Sequence, residues 1–250
     1  MTVFGITMVK DEADIIAASI TRMAAQCDDV LVIDNGSTDG TRDLLDTLPC
    51  QVFDDPDRAY WQETKITALA HLAADMGATW VVPFDADEVW QAKGGTLAEV
   101  LPGMRCHVAR AVWVDYVPTA ADQPGHPFEA MGYRRRRPNR LQKVAARTDP
   151  ALTIAMGNHE AHYGRQVRHQ RALVARHFPI RSPEQWISKI RNGWAALQLT
   201  DLPDDQGHHW RRYGKVLDAE GPDGLRKLYQ SEIYIARPQS DRTLVHDPLT

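Results

Sequence analysis

The sequence predicts an α/β protein built on a doubly wound, mostly parallel sheet, with a mixed C-terminal extension. Three observations predict it. Short apolar strands alternate with helix-period segments through the first hundred residues, two of those strands run into aspartates, and turn-forming residues follow the first of these directly. The chain is 250 residues long, with 43% apolar and 25% charged residues. That is ordinary for a soluble domain able to bury its own core, and it excludes disordered, collagen-like and disulfide-stapled classes.

Val3 to Val9 reads as the first strand. Asp11-Glu12-Ala13-Asp14 then supplies an acidic first turn to a helix carrying Ile15, Ile16, Ile20, Met23, Ala24 and Cys27 on one face. Val30 to Ile33 is a second, buried strand ending at Asp34, and Asn35 to Gly40 is turn chemistry throughout. A helix with Leu44, Leu45 and Leu48 inward stops at Pro49, and Gln51 to Phe53 is a third strand. Glu63 to Met76 is a helix closed by Gly77, and Thr79 to Phe84 is a strand running into Asp85-Ala86-Asp87-Glu88. In such sheets ligands bind beyond the carboxyl ends of the strands, where Asp34, Asp85 and Asp87 lie.

The second half is less regular. His107 to Val117 alternates as a half-buried strand, Thr119 to Gly132 reads as a long loop, and Leu152 to Met156 and Leu173 to Ala175 as short strands. Ser182-Pro183-Glu184-Gln185 is a helix start, with Trp186, Ile187, Ile190, Trp194 and Leu197 as its apolar stripe. One more helix is expected near Leu225 to Tyr229.

Twenty-nine basic against 33 acidic side chains leave a net charge of −4, which gives no reason to expect a nucleic-acid partner. Three cysteines (Cys27, Cys50, Cys106) without metal-type spacing fit a reducing compartment. Lys10, Asp11, Glu12 and Asp14 interrupt the apolar N-terminus before a signal h-region forms, and no window approaches the ~18 apolar residues of a membrane span. The expectation is a cytoplasmic protein, with membrane-surface contact left to basic side chains alone. Arg134 to Arg137, with Arg140 and Lys143, form a basic run that reads as a clamp for an anionic acceptor or diphosphate, as a contact to anionic lipid, or as a charged strand edge. The seven Trp residues read as core, with Trp90, just past the acidic pair, also placed to stack on a sugar.

Asp85-Ala86-Asp87 carries the main chemical signal. Two carboxylates at a strand end suit a hard cation such as Mn²⁺ or Mg²⁺, and that cation suits a diphosphate. The bland reading of the tripeptide alone is a solvated turn. A phosphatase would carry the pair after its first strand, whereas here it follows a later one.

Three segments sharpen this. Thr7 to Ile16, Val30-Leu-Val-Ile-Asp34-Asn-Gly-Ser-Thr-Asp39-Gly-Thr41 and Ala78 to Glu88 resemble, in order, the first strand and helix, the nucleotide-binding turn and the Asp-x-Asp strand of family 2 glycosyltransferases. Gly157-Asn158-His159 and His177 to Gln185, with Lys189, resemble C-terminal motifs of one subgroup, whereas residues 103 to 150 match no known motif.

The resemblance implies a GT-A-type, Rossmann-like twisted sheet flanked by helices. Residues 1–105 would form the nucleotide-sugar half, and 106–250 the acceptor half with C-terminal helices, in one continuous domain. It implies that Thr7 and Lys10 line the nucleotide pocket, that Asp34 contacts base or ribose, and that Asp39 supports the turn. Asp85 would hold the ribose or a metal-bound water. Asp87 and His177 would ligate Mn²⁺ or Mg²⁺, with His159 as a rival ligand, and Arg181 and Lys189 would meet the diphosphate at a helix start. The implied reaction moves a sugar from a nucleotide-diphospho-sugar to a hydroxyl or amine with inversion. The acceptor is a saccharide, a lipid-linked molecule or a small natural product, and the base is Glu160 first, His159 second. Two other classes compete. A sugar-1-phosphate nucleotidyltransferase would carry a Gly-rich basic loop after its first strand, where Thr7 to Asp14 is acidic and lacks glycine. A nucleotide-sugar-binding module would bind without transfer.

Overall fold

The computed structural model describes residues 1–203 and 206–249. The first elements are β1 (Val3–Val9), α1 (Ile16–Ala24), β2 (Asp29–Asp34), α2 (Thr41–Leu45), β3 (Gln51–Asp54) and α3 (Gln62–Asp75). There follow β4 (Trp80–Pro83), β5 (Glu88–Ala92), α4 (Leu97–Val100), β6 (Val108–Asp115), α5 (Pro127–Ala130), β7 (Tyr133–Arg135) and β8 (Gln142–Arg147). The last are β9 (Thr153–Ile154), β10 (Ala161–His162), β11 (His169–His177), α6 (Pro183–Leu197), α7 (His208–Leu228) and β12 (Leu244–His246). The chain divides into two compact units. One comprises Met1–Pro56, Trp61–Val114 and Pro138–His177, and the other takes Asp57–Tyr60, Asp115–Arg137 and the chain from Phe178 onward.

The first unit is an eight-stranded sheet in the order β3-β2-β1-β4-β8-β6-β11-β5. The strands β3, β2, β1 and β4 pair in parallel and form the expected wound half. Val30, Leu31 and Val32 are fully buried, as a strand covered on both faces requires. One face packs on α3 through Phe4, Ile6, Leu31, Ile66, Leu69 and Val144. The other half is built by antiparallel additions: β8 pairs with β4 and β6, and β5 with β11.

Several elements depart from the sequence reading, each for a physical reason. Glu88 to Ala92 is a strand because the chain re-enters the sheet at once after the acidic turn, against β11. Gln142 to Arg147 is a strand although its interior is Val-Ala-Ala flanked by cations, since burial between β4 and β6 decides it. Residues 119–132 hold a short helix, α5, within the expected loop. The last helix begins at His208 rather than near Leu225, and it is broken at Gly221-Pro222.

In the second unit α6 and α7 pack through Trp186, Ile187, Ile190, Leu197, Trp210 and Leu225. The approach depends on two glycines. A Cβ on Gly193 would lie 2.5 Å from the Trp210 ring, and one on Gly214 would lie 2.4 Å from the Trp194 ring. β7 and β12 pair antiparallel in the same unit. Among the described residues no helix is long and apolar enough to cross a membrane.

Candidate active site

The site is assembled in the first unit at the carboxyl ends of β1, β2 and β4. Val9 is opposite Asp34 in the parallel register. Strand alternation therefore puts Thr7 and Asp34 on one face of the sheet. Thr7 is fully buried and Asp34 is 4% exposed. Asp34 Oδ2 accepts from the Ser37 N–H at 3.1 Å. Asp34 Oδ1 and Thr7 Oγ1 are buried and find no hydrogen-bond partner among the described residues. Buried oxygens left this way are costly, and a ligand donor relieves the cost.

The loop after β1 and the turn after β2 are laced together. Lys10 Nζ donates to the carbonyls of Asn35 (3.1 Å) and Gly36 (2.7 Å), so its ammonium holds the turn. The Asp11 N–H donates to Ser37 Oγ (3.0 Å) and the Glu12 N–H to Thr41 Oγ1 (2.8 Å). Asp39 accepts from the Ala13 N–H (3.0 Å), the Thr41 N–H (2.9 Å) and the Thr41 hydroxyl (2.6 Å). Partial burial opposes ionisation of Asp39, but the bonds from Thr41 and Ala13 outweigh it and hold the carboxyl below its ordinary range.

The acidic motif is held from behind by Lys143, which projects from β8 and is 1% exposed. Its ammonium lies 2.5 Å from Asp85 Oδ2 and 2.9 Å from Glu88 Oε1. Burial works against the charged form of Lys143, but Asp85 and Glu88 more than offset it, so the lysine stays protonated. Burial pushes the Glu88 carboxyl up, against the pull of Lys143. Asp85 also accepts from Asn158 Nδ2 at 3.0 Å. Asn158 sits in the left-handed region (φ 59°) after Gly157 (φ 75°), a conformation that asparagine tolerates and glycine favours. Sequence reasoning placed Lys143 in a surface basic run and passed over Asn158. The signal for Asn158 was the Gly157-Asn158-His159 segment; for Lys143 no local signal exists, because its partners arrive through the sheet.

Asp87 meets His177 through the β11–β5 ladder. His177 is in register with Glu88, and its Nε2 lies 3.6 Å from Asp87 Oδ1, both side chains being largely buried. A carboxylate oxygen and an imidazole nitrogen are a sound donor pair for a divalent cation, so the two expected ligands fit one. Among the described residues no three His, Cys, Asp or Glu side chains converge on a metal-sized point. The pair would therefore supply two ligands, leaving the other positions to a diphosphate and water.

Trp113 stands beside this pair. Its ring centroid is 4.7 Å from that of His177 and 5.0 Å from that of His159, and Lys143 Nζ is 5.0 Å from it. His159 Nδ1 is 3.0 Å from the Gln142 carbonyl, which fixes its proton on Nδ1. Burial, together with the Lys143 charge, lowers its pKa, so the ring is neutral at pH 7. Glu160 is paired with Arg110 at 3.1 and 2.6 Å, and its side chain is 46% exposed. The Arg110 bonds hold that carboxyl below the usual range against a smaller opposing effect of burial.

Two readings are corrected. Trp90 does not stack on a sugar: it is 1% exposed, and its Nε1 donates to Glu88 at 3.0 Å. The basic run is not wholly a set of surface charges. Lys143 is buried in the first unit, whereas Arg134 pairs with Asp247 at 2.6 Å and Arg136 donates to the Arg242 and Leu244 carbonyls in the second. Arg181 and Lys189 also belong to the second unit. There Ser182 Oγ caps α6 by accepting from the Gln185 N–H, and the Arg181 guanidinium donates to the Phe178 carbonyl at 3.2 Å.

The family model described as Glycosyl transferase family 2 matches residues 6–143, more than half of the chain. The chain belongs to glycosyltransferase family 2. The wound sheet with its acidic carboxyl-end motif is the GT-A-type arrangement expected of a member. Solved structures similar to this family 2 member include a mycobacterial protein at 16% identity, covering 58% of this chain and 53% of that one, with a TM-score of 0.33. A mannosyltransferase from Pyrobaculum calidifontis, in complex with GDP-Man and Mn²⁺, matches at 14% identity over 92% of this chain and 74% of its own, with a TM-score of 0.45. A nucleotidyl transferase from Methanothermobacter thermautotroptrophicus matches at 9% identity over 58% and 71%, with a TM-score of 0.28. The chain thus spans about half the length of the first of these, 53%. A search of curated proteins gives no match.

Proposed function

We propose that the protein is a metal-dependent, inverting glycosyltransferase that moves a sugar from a nucleotide-diphospho-sugar to an acceptor hydroxyl or amine. The observation that carries the reading is the pairing of Asp87 with His177 at the carboxyl end of the wound sheet, on the same rim as the orphaned oxygens of Thr7 and Asp34. Asp34 and Thr7 would accept from the base or ribose, satisfying oxygens that are otherwise stranded. Lys143 and Asn158 would hold Asp85 in place to accept from a ribose hydroxyl or a bound water. Asp87 and His177 would hold Mn²⁺ or Mg²⁺, which when bound offsets the charge developing on a leaving diphosphate.

For the base, the geometry favours His159 over Glu160. His159 is neutral, carries its proton on Nδ1, and so keeps a lone pair on Nε2 for the acceptor proton. Glu160 is committed to Arg110 and made a weaker base by it.

The test is a panel of GDP-, UDP- and dTDP-sugars assayed for slow donor hydrolysis with and without Mn²⁺. Hydrolysis that needs the metal and falls at least 100-fold in Asp87→Ala is expected. Full activity in that variant at saturating donor would end the metal reading. Nucleotide binding with no hydrolysis of any donor would leave a binding module instead.

A further inference from the structure

A second concave region lies in the first unit, a groove of about 530 Å³ to which His159 contributes. Its charge is unlike that of the chain. Arg110, Arg140 and Arg171 line it against the single carboxylate of Glu160, in a protein whose net charge is −4. Arg110 is spent on Glu160, with its Nε also 3.1 Å from His169 Nδ1. The other two keep their charge. With the Gln142 amide oxygen turned toward it, Arg171 donates through Nε and Nη2 at 3.0 Å each, so a neutral group fixes the guanidinium and leaves its remaining N–H donors for another partner. Arg140 makes no hydrogen bond or ion pair with any described residue. Between it and Gln142, Leu141 is 52% exposed.

We propose that this groove is the acceptor subsite and that it selects an acceptor bearing a phosphate, bound by Arg140 and Arg171. The proposal rests on the glycosyl-transfer reading and specifies its acceptor. Guanidinium groups match phosphate oxygens in bidentate geometry, and two solvent-exposed guanidiniums on one concavity, neither paired with a carboxylate, suit an anion. His159 lines the same groove, so an acceptor anchored there would present its hydroxyl beside the candidate base. A free sugar phosphate and a lipid-linked phosphate share this chemistry.

The test is calorimetric binding to the full chain preloaded with Mn²⁺ and its preferred nucleoside diphosphate, with methyl hexoside, hexose 6-phosphate and phytanyl phosphate as probes. A phosphate-bearing probe is expected to bind at least 10-fold tighter than the neutral glycoside. Arg140→Gln with Arg171→Gln should weaken it by about 10- to 100-fold, the range for a lost charged hydrogen bond. Nucleoside diphosphate binding by the double variant serves as the control for folding and for the Asp87 site, and it should be unchanged. Tighter binding of phytanyl phosphate assigns the anion to a lipid headgroup, and tighter binding of hexose 6-phosphate assigns it to a free sugar. Equal binding of neutral and phosphorylated probes overturns the proposal, as does a double variant that loses nucleotide and not phosphate. Failure of the unsubstituted protein to bind any nucleoside diphosphate would instead defeat the transfer reading itself.

Discussion

Lys143 shows how one buried residue can hold a cluster of side chains together. It is a fully enclosed cation shared by Asp85 and Glu88, with the Trp113 ring against it. Removing one partner of a buried ion pair leaves the others uncompensated, at about 3–5 kcal/mol. Lys143→Met is therefore expected to lower the free energy of urea unfolding at pH 7 by about that amount. A loss below roughly 1 kcal/mol would mean that the carboxylates find protons or water instead. The candidate site residues differ in how far the sequence revealed them. Asp34, Asp85 and Asp87 were legible because each ends or closely follows an apolar strand, so local pattern alone put them at the rim. Lys143 was not, because β8, which carries it, shows no periodic signal around residues 140–147, and Trp113 sat on an expected strand whose neighbours in the sheet the sequence did not reveal. The link between His177 and Asp87 needed a ladder, β11 against β5, of which only one strand was visible in the sequence.

At the scale of elements, the β1–α1 loop and the β2–α2 turn behave as one part. Asp39 is the fastener, taking donors from Ala13 in one and Thr41 in the other. Its folded carboxyl is held below the ordinary value, so ionised Asp39 favours folding above the unfolded pKa, and that contribution is lost as pH falls through the lower folded pKa. Asp39→Asn should therefore be less stable than the unsubstituted protein at pH 7, with the gap closing once the pH drops beneath the usual carboxylate range near ~3.9. A gap independent of pH, in denaturation curves taken from pH 7 to pH 3, would show that the carboxylate charge plays no part. In the second unit the helix pair makes a steric prediction. A methyl on Gly214 would enter the Trp194 ring, so Gly214→Ala should separate α6 from α7 and cost about 1–3 kcal/mol in thermal unfolding. The apolar stripe of α6 announced its buried face, but the two glycines gave no hint, since their role exists only where the helices meet.

At the scale of the molecule, two compact units mean that a single melting temperature need not describe the chain. A ligand that binds only the folded state at 100 times its Kd adds about 2.7 kcal/mol. For a chain of this size that raises the transition of the unit it binds by roughly 5–10 °C. The best nucleoside diphosphate with Mn²⁺ should give such a shift, and Asp87→Ala should abolish the part that needs metal. Hydrogen exchange then locates the ligand. Slowed exchange is expected at residues 7–10, 34–41 and 85–88, where the laced loops and the acidic turn carry the candidate contacts. Unchanged exchange in all three segments with nucleotide and Mn²⁺ bound would show that the ligand is held elsewhere and that the rim of Thr7, Asp34 and Asp85 is not its site.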